Sequence, residues 1–293
     1  MVTWRQLWRE TTARVADPVQ ARWLLEEASG GDRTALLRGL DRDASPQAAE
    51  TLETLVERLV AGEPLQHVLG HWDFRGIDVL VDSRVLVPRP ETEQVVTFAL
   101  RELDRVREAR TTEEATGPVF GLSAVDLGTG SGVIALSLVA ERADVRVVAT
   151  DRDSAALEVA ARNLSAIASE AAARVQLVAG DWYQALPARV AGHLDLVVSN
   201  PPYLAEHEWS GLERTVRDFD PLGALVAGPS GLEAIETIVS GAPGWLAPIG
   251  ALVVEIAPDQ ARAALELANE AGFVASSVEQ DLAGRPRVLV ART

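Results

Sequence analysis

The sequence from residue 123 onward alternates between short valine-rich segments and longer segments with the apolar spacing of an α-helix. The predicted strands are SAVDL, VRVVAT, VQLVA, LDLVVS, ALVVEI, FVASSVEQ and RVLVAR. Most are separated by a predicted helix, in GVIALSLVAE, SAALEVAARNLSAI, GLEAIETIVSGA and PDQARAALELANEAG. Such alternation predicts an α/β domain with a mostly parallel sheet and helices on both faces. Because no helix separates the last two strands, the sheet should end in an antiparallel hairpin.

Residues 1–70 predict a small helical domain instead. Ser45 and Pro46 provide an N-cap and a first-turn proline for its last helix. The residues at helical spacing are Trp4, Leu7 and Trp8 near the start, then Leu52, Leu55, Val56 and Leu59. These side chains are expected to form a core rather than a ligand site.

Residues 71–90 link the two predicted domains. Apolar and polar residues alternate along this segment, which is rich in valine. The pattern predicts a β-hairpin connector with a turn near Asp82 and Ser83. Residues 91–293 form the larger domain, which opens with a helix in PRPETEQVVTFALREL. Residues 110–120 are predicted to be a solvated linker.

The composition excludes several functions. Cysteine is absent, so disulfides, thiolate metal ligands and a cysteine nucleophile are excluded. The four histidines lack metal-ligand spacing, and no metal is expected. The 43 acidic and 27 basic residues give a net charge of −16, which disfavours nucleic acid as the direct substrate. No apolar run approaches the ~18 residues of a membrane span, and the N-terminus lacks an apolar signal core, so a cytoplasmic location is expected.

A glycine-rich loop follows the first strand of the larger domain. It comprises Gly128, Thr129, Gly130, Ser131 and Gly132 and leads directly into a helix. Glycines allow the backbone to approach a ligand, and the helix N-terminus adds partial positive charge. The spacing differs from the G-x-G-x-x-G of dinucleotide sites and favours the nucleoside-binding loop of methyltransferases. A tight turn with no ligand is the alternative.

The next two strand ends carry groups that suit a nucleoside. Asp151 ends the second strand, where a carboxylate can accept both ribose hydroxyls. Asp181 and Trp182 follow the third strand, and the indole can pack on a purine. A helix N-cap and a core tryptophan are the alternatives for Asp151 and Trp182. Three successive strand ends nevertheless favour a nucleoside cofactor.

The fourth strand ends in Asn200, Pro201, Pro202 and Tyr203, here called the NPPY corner. Ligands of open α/β sheets bind beyond the carboxyl ends of the strands, and the prolines hold this loop stiff. The Asn200 side chain and the Pro201 carbonyl can accept both hydrogens of a planar –NH2 group, on which the Tyr203 ring stacks. An amide or amino-purine nitrogen held this way can attack an electrophile without a general base. The alternative is a plain strand ending.

These motifs together resemble the protein-(glutamine) N-methyltransferases that modify peptide chain release factors. The segments that carry the resemblance are GEPLQHVLGHWDFRG, VLVPRPETE, DLGTGSGVIAL, GDWY, SNPPY and DLAGRPRVLV, in that order along nearly the whole chain. The family has a Rossmann-like class I fold whose sheet has seven strands. SRVLVPRPETE departs in its first residues from the family's SPxxLIPRPETE form.

The resemblance implies S-adenosyl-L-methionine as the cofactor, bound by residues 128–132, Asp151, Trp182 and Asn200. Asn200 to Tyr203 would bind the glutamine of the Gly-Gly-Gln tripeptide in class 1 release factors, with Asn200, Pro201 and Tyr203 serving the chemistry. The helical domain would dock this partner, and a monomer is expected. Arg89, Glu91 and Glu93 are either lid groups or a charge cluster at a helix start.

Other readings remain open on the residues alone. A DNA or RNA adenine N-methyltransferase shares the NPPY corner but should carry a basic groove. A small-molecule methyltransferase would not need the helical domain. A non-catalytic module would be expected to have lost Asn200.

Overall fold

The computed structural model of the chain describes residues 2–113 and 121–293. Its helices are α1 Trp4–Val15, α2 Pro18–Ser29, α3 Arg33–Arg38, α4 Pro46–Val60, α5 Leu65–Leu69, α6 Thr92–Glu113, α7 Val133–Glu141, α8 Ser154–Ala166, α9 Ser169–Ala172, α10 Arg214–Arg217, α11 Leu222–Leu225, α12 Glu233–Gly241 and α13 Ala261–Glu270. Its strands are β1 His71–Phe74, β2 Ile77–Leu80, β3 Leu122–Leu127, β4 Val145–Asp151, β5 Val175–Ala179, β6 Leu194–Ser199, β7 Leu204–Ala205, β8 Val226–Gly228, β9 Leu246–Glu255, β10 Ala275–Gln280 and β11 Pro286–Arg292. Across both described stretches, every helix is too short or too polar to cross a membrane.

The described residues divide into two compact units. One comprises Met1–Trp72 with Glu213–Phe219, and the other comprises Asp73–Leu212 with Asp220–Thr293. The short helix α10 therefore groups with the N-terminal helices, although it lies far from them in sequence.

The N-terminal unit has a helical core, as the sequence predicts. Leu24, Leu25, Leu52 and Val56 are buried in one apolar cluster, and Trp4, Leu7, Trp8 and Leu59 pack against it. The predicted start of α4 is also confirmed: Ser45 Oγ accepts a hydrogen bond from Ala48 N at 3.1 Å, and Pro46 occupies the first helical position.

The paired strands that follow the helical domain lie earlier than the sequence predicts. β1 and β2 form a two-stranded sheet over residues 71–80. The residues between them, Arg75 and Gly76, both have positive φ, 52° and 75°. The hairpin turn predicted near Asp82 and Ser83 is therefore wrong. A tight turn does occur there, with Val85 N bonded to Asp82 O at 3.1 Å, but it joins no strands.

The predicted linker is also corrected in part. Residues 110–113 belong to α6, which is 22 residues long, and residues 114–120 lie outside the described residues.

The larger unit contains the seven-stranded sheet that the sequence predicts. The strand order is β10-β11-β9-β6-β3-β4-β5. β3, β4, β5, β6 and β9 pair in parallel, whereas β11 pairs antiparallel with both β9 and β10. The chain runs outward from β3 through β4 and β5 and then returns to β6 on the other side of β3. Such a reversal of strand order opens a crevice for a ligand at the carboxyl ends of the strands.

Helices cover both faces of the sheet. Val125 and Leu127 of β3 lie in the apolar cluster that includes Ile235 and Ile238 of α12. Because side chains alternate along a strand, Asp126 points to the other face, where its carboxylate accepts a hydrogen bond from Ala135 N of α7.

Tyr183 links a loop at the carboxyl edge of the sheet to α12. Its ring is buried and stacked on Trp245 with centroids 5.8 Å apart, and its hydroxyl donates to Ile238 O at 2.7 Å. Gly241, at the end of α12, leaves space for that ring: a Cβ there would lie 2.5 Å from Tyr183 Cε2. Tyr183 thereby fixes the position of its neighbour Trp182.

The Gly241→Ala substitution should lower the free energy of unfolding by roughly 1–3 kcal/mol, because the added methyl group overpacks a rigid ring. Gly244→Ala is the matched control, since a Cβ at Gly244 would have no atom within 4 Å. Urea unfolding should show the control within about 0.5 kcal/mol of the parent chain. Equal stability of the two variants would contradict the packing argument.

Candidate active site

One row of residues lies at the carboxyl ends of four neighbouring strands, either as the last residue of the strand or as the residue after it. Leu127 of β3 pairs with Thr150 of β4 and with Ser199 of β6, and Ser199 pairs with Val254 of β9. The residues that follow these four in the chain are Gly128, Asp151, Asn200 and Glu255. Parallel pairing therefore brings the glycine loop, the second-strand acid and the NPPY corner together, as the sequence predicts.

The glycine loop has a backbone that few side chains would permit. Gly128, Gly130 and Gly132 have φ of 71°, 55° and 87°, in the left-handed region that favours glycine. A Cβ at Gly128 would also lie 3.3 Å from Trp182 Cζ3, so the indole lies against the bare backbone. Trp182 itself has φ of 42°, a strained value for a bulky residue, and begins a 3₁₀ turn.

Asp151 holds the loop and the start of α8 together. Its Oδ2 accepts from Gly130 N and its Oδ1 from Asp153 N, both at 2.9 Å. Burial raises the pKa of Asp151, although these backbone donors act to lower it. The helix N-cap predicted as an alternative role belongs to Asp153, whose side chain accepts from Ala155 N. Each Asp151 oxygen keeps a second lone pair for a ligand hydroxyl.

Asp126 lies beneath the loop and is fully buried. Its Oδ2 accepts from Thr129 Oγ1 at 2.6 Å and from Ala135 N at 3.2 Å, while Oδ1 has no hydrogen-bond partner among the described residues. Burial raises its pKa from 3.8 to about 7, against the lowering effect of the Thr129 hydroxyl and the Ala135 amide.

These groups line a cavity of about 1050 Å³, including its open mouth. The predicted site residues that line it are Gly128, Thr129, Gly130, Ser131, Asp151, Trp182, Asn200 and Pro202. Gly132 does not, because it packs against Ala160, to which a Cβ would come within 3.3 Å.

The Asn200 side chain belongs to a chain of three polar groups. Its Nδ2 donates to Thr92 Oγ1 at 2.9 Å, and Thr92 Oγ1 donates to Glu255 Oε2 at 2.8 Å. Thr92 is 2% exposed and Glu255 1%. Burial raises the pKa of Glu255 from 4.5 to about 7; the Thr92 hydroxyl and the cations Arg287 and Arg89 act to lower it, whereas Glu91 acts to raise it.

Two residues of the NPPY corner, Pro201 and Tyr203, do not line the cavity. Pro201 is buried. Tyr203 O accepts from Gln260 Nε2 at 2.9 Å, which fixes the loop after the prolines. Burial raises the pKa of the Tyr203 phenol to about 12, so the phenol is neutral at physiological pH. The stacking role of Tyr203 stays a prediction.

Two charged residues of PRPETE, Arg89 and Glu91, make ion pairs, and Glu93 makes a backbone contact. Arg89 bonds to the buried Asp220 at 2.7 Å, and Glu91 pairs with Arg285 at 2.9 Å. The backbone carbonyl of Glu93 accepts from the Arg75 guanidinium. Arg89 and Glu91 thus connect this segment to two others, the residues just before α11 and the residues just before β11.

Sequence reasoning missed two residues of the site, Thr92 and Glu255. Thr92 stands inside PRPETE among charged residues that draw more attention, and Glu255 ends what looks like an ordinary buried strand. The signal that could have found Glu255 is its position, since it ends a central parallel strand with an acid.

Two family models match the sequence. The model described as PrmC N-terminal domain matches residues 9–70, and the model described as Methyltransferase small domain matches residues 111–217.

Proteins named release factor glutamine methyltransferase are similar over nearly the whole chain. One from Xylella fastidiosa is 40% identical over 94% of this chain and 92% of its own. One from Burkholderia pseudomallei is 40% identical over 92% of this chain and 90% of its own. One from Moorella thermoacetica is 37% identical over 99% of this chain and 98% of its own.

A solved structure shares the fold at much lower identity. The hMettl16 catalytic domain in complex with a MAT2A 3'UTR hairpin has a TM-score of 0.55 and 13% identity, covering 84% of this chain and 80% of that one. Similarity at this level shows the fold alone.

Asp126 should make the stability of the larger unit fall as pH rises. Between 3.8 and about 7 the folded chain keeps a proton that the unfolded chain has lost, so unfolding becomes easier with rising pH and the effect is complete above about 7. Replacing Asp126 by Asn removes this proton linkage. The stability of Asp126→Asn relative to the parent should therefore rise by about 1–3 kcal/mol from pH 5 to pH 8 in urea unfolding. A stability difference between Asp126→Asn and the parent that does not change with pH would contradict a raised pKa of Asp126 in the folded chain.

Proposed function

The chain belongs to the release factor glutamine methyltransferase family, and from that premise we propose that it methylates the side-chain amide nitrogen of one glutamine in its partner protein. The partner is a class 1 peptide chain release factor, a cytoplasmic protein, and the glutamine is that of its Gly-Gly-Gln tripeptide. The methyl donor is S-adenosyl-L-methionine. A methyltransferase domain match over residues 111–217 supports the reaction class.

The observation that carries this proposal is the orientation of the Asn200 amide at the cavity wall. Nδ2 is bonded to Thr92, so Oδ1 is the end left for a ligand. An amide oxygen accepts hydrogen bonds, and therefore it suits a substrate that donates them. A glutamine amide donates through its –NH2 group, whereas a glutamate carboxylate would meet Oδ1 as a second acceptor.

The other strand ends fit a nucleoside-containing donor. The Trp182 indole lies against the Gly128 backbone and lines the cavity, so it offers a flat apolar surface on which a purine can pack. The two Asp151 oxygens, oriented by Gly130 N and Asp153 N, can accept from the ribose hydroxyls. S-adenosyl-L-methionine, when bound, supplies an activated methyl group.

The NPPY corner would then orient the substrate nitrogen. Asn200 Oδ1 and the Pro201 carbonyl accept its two hydrogens, and Tyr203 stacks on the planar amide. These acceptors stabilise the positive charge that develops on the nitrogen, which is electrostatic preorganisation. The alkylated nitrogen is strongly acidic and releases its proton to water afterwards, so no side chain needs to act as a general base.

We assign partner docking to residues 1–70, connection to residues 71–90 and chemistry to residues 91–293. The match of the first segment to the PrmC N-terminal domain supports a role tied to this family. Residues 213–219, which group with the N-terminal helices, join two parts of the larger unit. We expect one copy of the chain to act alone.

The Asp151→Asn variant should bind S-adenosyl-L-methionine more weakly. Loss of charge-assisted hydrogen bonds costs roughly 1.5–3 kcal/mol, which corresponds to about a 10- to 150-fold higher Kd in calorimetry. Asp259→Asn, at an exposed position, is the matched control and should bind as the parent does. Unchanged affinity in Asp151→Asn would remove Asp151 from the cofactor site.

The proposed reaction is tested by the destination of a labelled methyl group. The chain and methyl-labelled S-adenosyl-L-methionine are incubated with a class 1 release factor, with a release factor whose Gly-Gly-Gln glutamine is replaced by glutamate, and with DNA and RNA. Label is expected only in the unaltered release factor. Label in nucleic acid alone would establish an adenine N-methyltransferase instead.

Asn200→Ala should lower the single-turnover rate by several orders of magnitude at saturating cofactor and release factor, since the acceptor that selects the amide is gone. Its Kd for the cofactor should change far less, because the glycine loop, Asp151 and Trp182 remain. Asn269→Ala, an exposed asparagine on α13, is the control and should keep the parent rate. A parent-like rate for Asn200→Ala would mean that the NPPY corner only ends a strand.

A further inference from the structure

Three elements meet at the Asn200 side chain. Asn200 follows β6, Thr92 begins α6 and Glu255 ends β9, so residues 108 and 163 positions apart in sequence form one hydrogen-bonded chain. Thr92 also lines the cavity beside Asn200, whereas Glu255 does not. Among the described residues, the hydrogen bond from Thr92 is therefore the contact that links Glu255 to the cavity lining.

The direction of each hydrogen bond follows from the chemistry of Glu255. An ionised carboxylate can only accept, so the Thr92 hydroxyl must donate its single proton to Oε2. The Thr92 oxygen then has only lone pairs to offer, and it requires a donor on its other side. Asn200 meets that requirement with Nδ2 and not with Oδ1. The charge on Glu255 is thus converted into an orientation of the Asn200 amide.

We propose that Thr92 and Glu255 are positioning residues that make Asn200 present its oxygen, rather than its –NH2 group, to the substrate. This inference rests on the proposed function, because it explains how the site selects a glutamine amide over a glutamate. A reversed Asn200 would present a donor to the substrate amide nitrogen, which needs acceptors. Thr92 and Glu255 therefore contribute to selection of an amide through the orientation that they give to Asn200.

A purely mechanical role for the same contacts makes different predictions. If the three groups only tie α6, β6 and β9 together, the polarity of the contacts has no consequence for the rate. Thr92→Val removes the hydroxyl at nearly constant volume, and Thr92→Ser restores it with a smaller side chain. A positioning role requires the serine variant to recover what the valine variant loses.

The orientation of Asn200 is measured without any substrate by nuclear magnetic resonance. The side-chain ¹⁵NH2 signal of Asn200 is assigned from its absence in Asn200→Asp. In the parent chain and in Thr92→Ser, one of its protons should be protected from exchange with water, since it is bonded to a buried oxygen. Protection should be lost in Thr92→Val. Equal exchange in the parent and Thr92→Val would overturn the proposal, whatever the chain methylates.

Single-turnover methyl transfer to the release factor measures the consequence. Thr92→Val should be roughly 5- to 100-fold slower than the parent at saturating cofactor and release factor, because it leaves a polar group unpaired. Thr92→Ser should lie within about threefold of the parent, and the Kd for S-adenosyl-L-methionine should change less than about twofold in either variant. A Thr92→Val rate equal to the parent rate would overturn the positioning role. A parent chain that labels no release factor would instead reject the proposed function, and the exchange measurement would still decide the orientation.

The dependence of the methyl-transfer rate on pH distinguishes the positioning role from a purely mechanical one, because a mechanical role of Glu255 would not make the rate depend on its protonation. Neutral Glu255 can donate to Thr92, so its constraint on Asn200 disappears on protonation. The groups that act on Glu255 are the Thr92 hydroxyl and the charges of Arg287, Glu91 and Arg89, and Tyr203 lies within electrostatic range.

The parent rate should fall as pH drops below about 7. Glu255→Gln, with no proton to gain, should be slower at pH 8 and should lack this decline; the same decline in Glu255→Gln would contradict the role of Glu255.

Discussion

The parallel pairing of β3 with β4 and β6 is the constraint on which the rest of the site depends. Leu127 is in register with Thr150 on one side and with Ser199 on the other. A shift of either strand by one residue would exchange the faces of its side chains and would move Asp151 or Asn200 away from the glycine loop. The buried apolar residues of these central strands hold that register, so the core determines the geometry of the cavity.

Much of this arrangement could be predicted from the sequence because its signals are local. Each signal occupies only a few consecutive residues. The signals are glycines that need positive φ, an acid at a strand end, and two prolines after an asparagine. The hairpin was misplaced for the opposite reason. Gly76 is a local signal for the turn, but Arg75 also needs positive φ, which arginine does not favour, and its guanidinium is bonded to Glu141, 66 residues later. Thr92 and Glu255 were missed likewise, since only the fold brings them together across 163 residues.

The site concentrates features that are unfavourable elsewhere in a protein. Trp182 has a strained backbone, and Asp126 and Glu255 are carboxyl groups buried with pKa values near 7. Buried carboxyl groups of this kind cluster at functional sites, where their environment sets charge and orientation. Here the two acids lie under different parts of the cavity, Asp126 beneath the glycine loop and Glu255 behind Asn200. Each orients a neighbour, and neither has to reach the substrate.

The proposal that depends most directly on this geometry is that one cavity holds the methyl donor at β3 and β4 and presents its methyl group to the end of β6. Its most direct test is an isotope-filtered nuclear Overhauser measurement on the chain bound to S-adenosyl-L-methionine labelled with ¹³C in the transferable methyl group. We expect contacts from that methyl group to side-chain protons of Asn200 and to Pro202. Methyl contacts confined to residues outside this cavity, with none to Asn200, would contradict it.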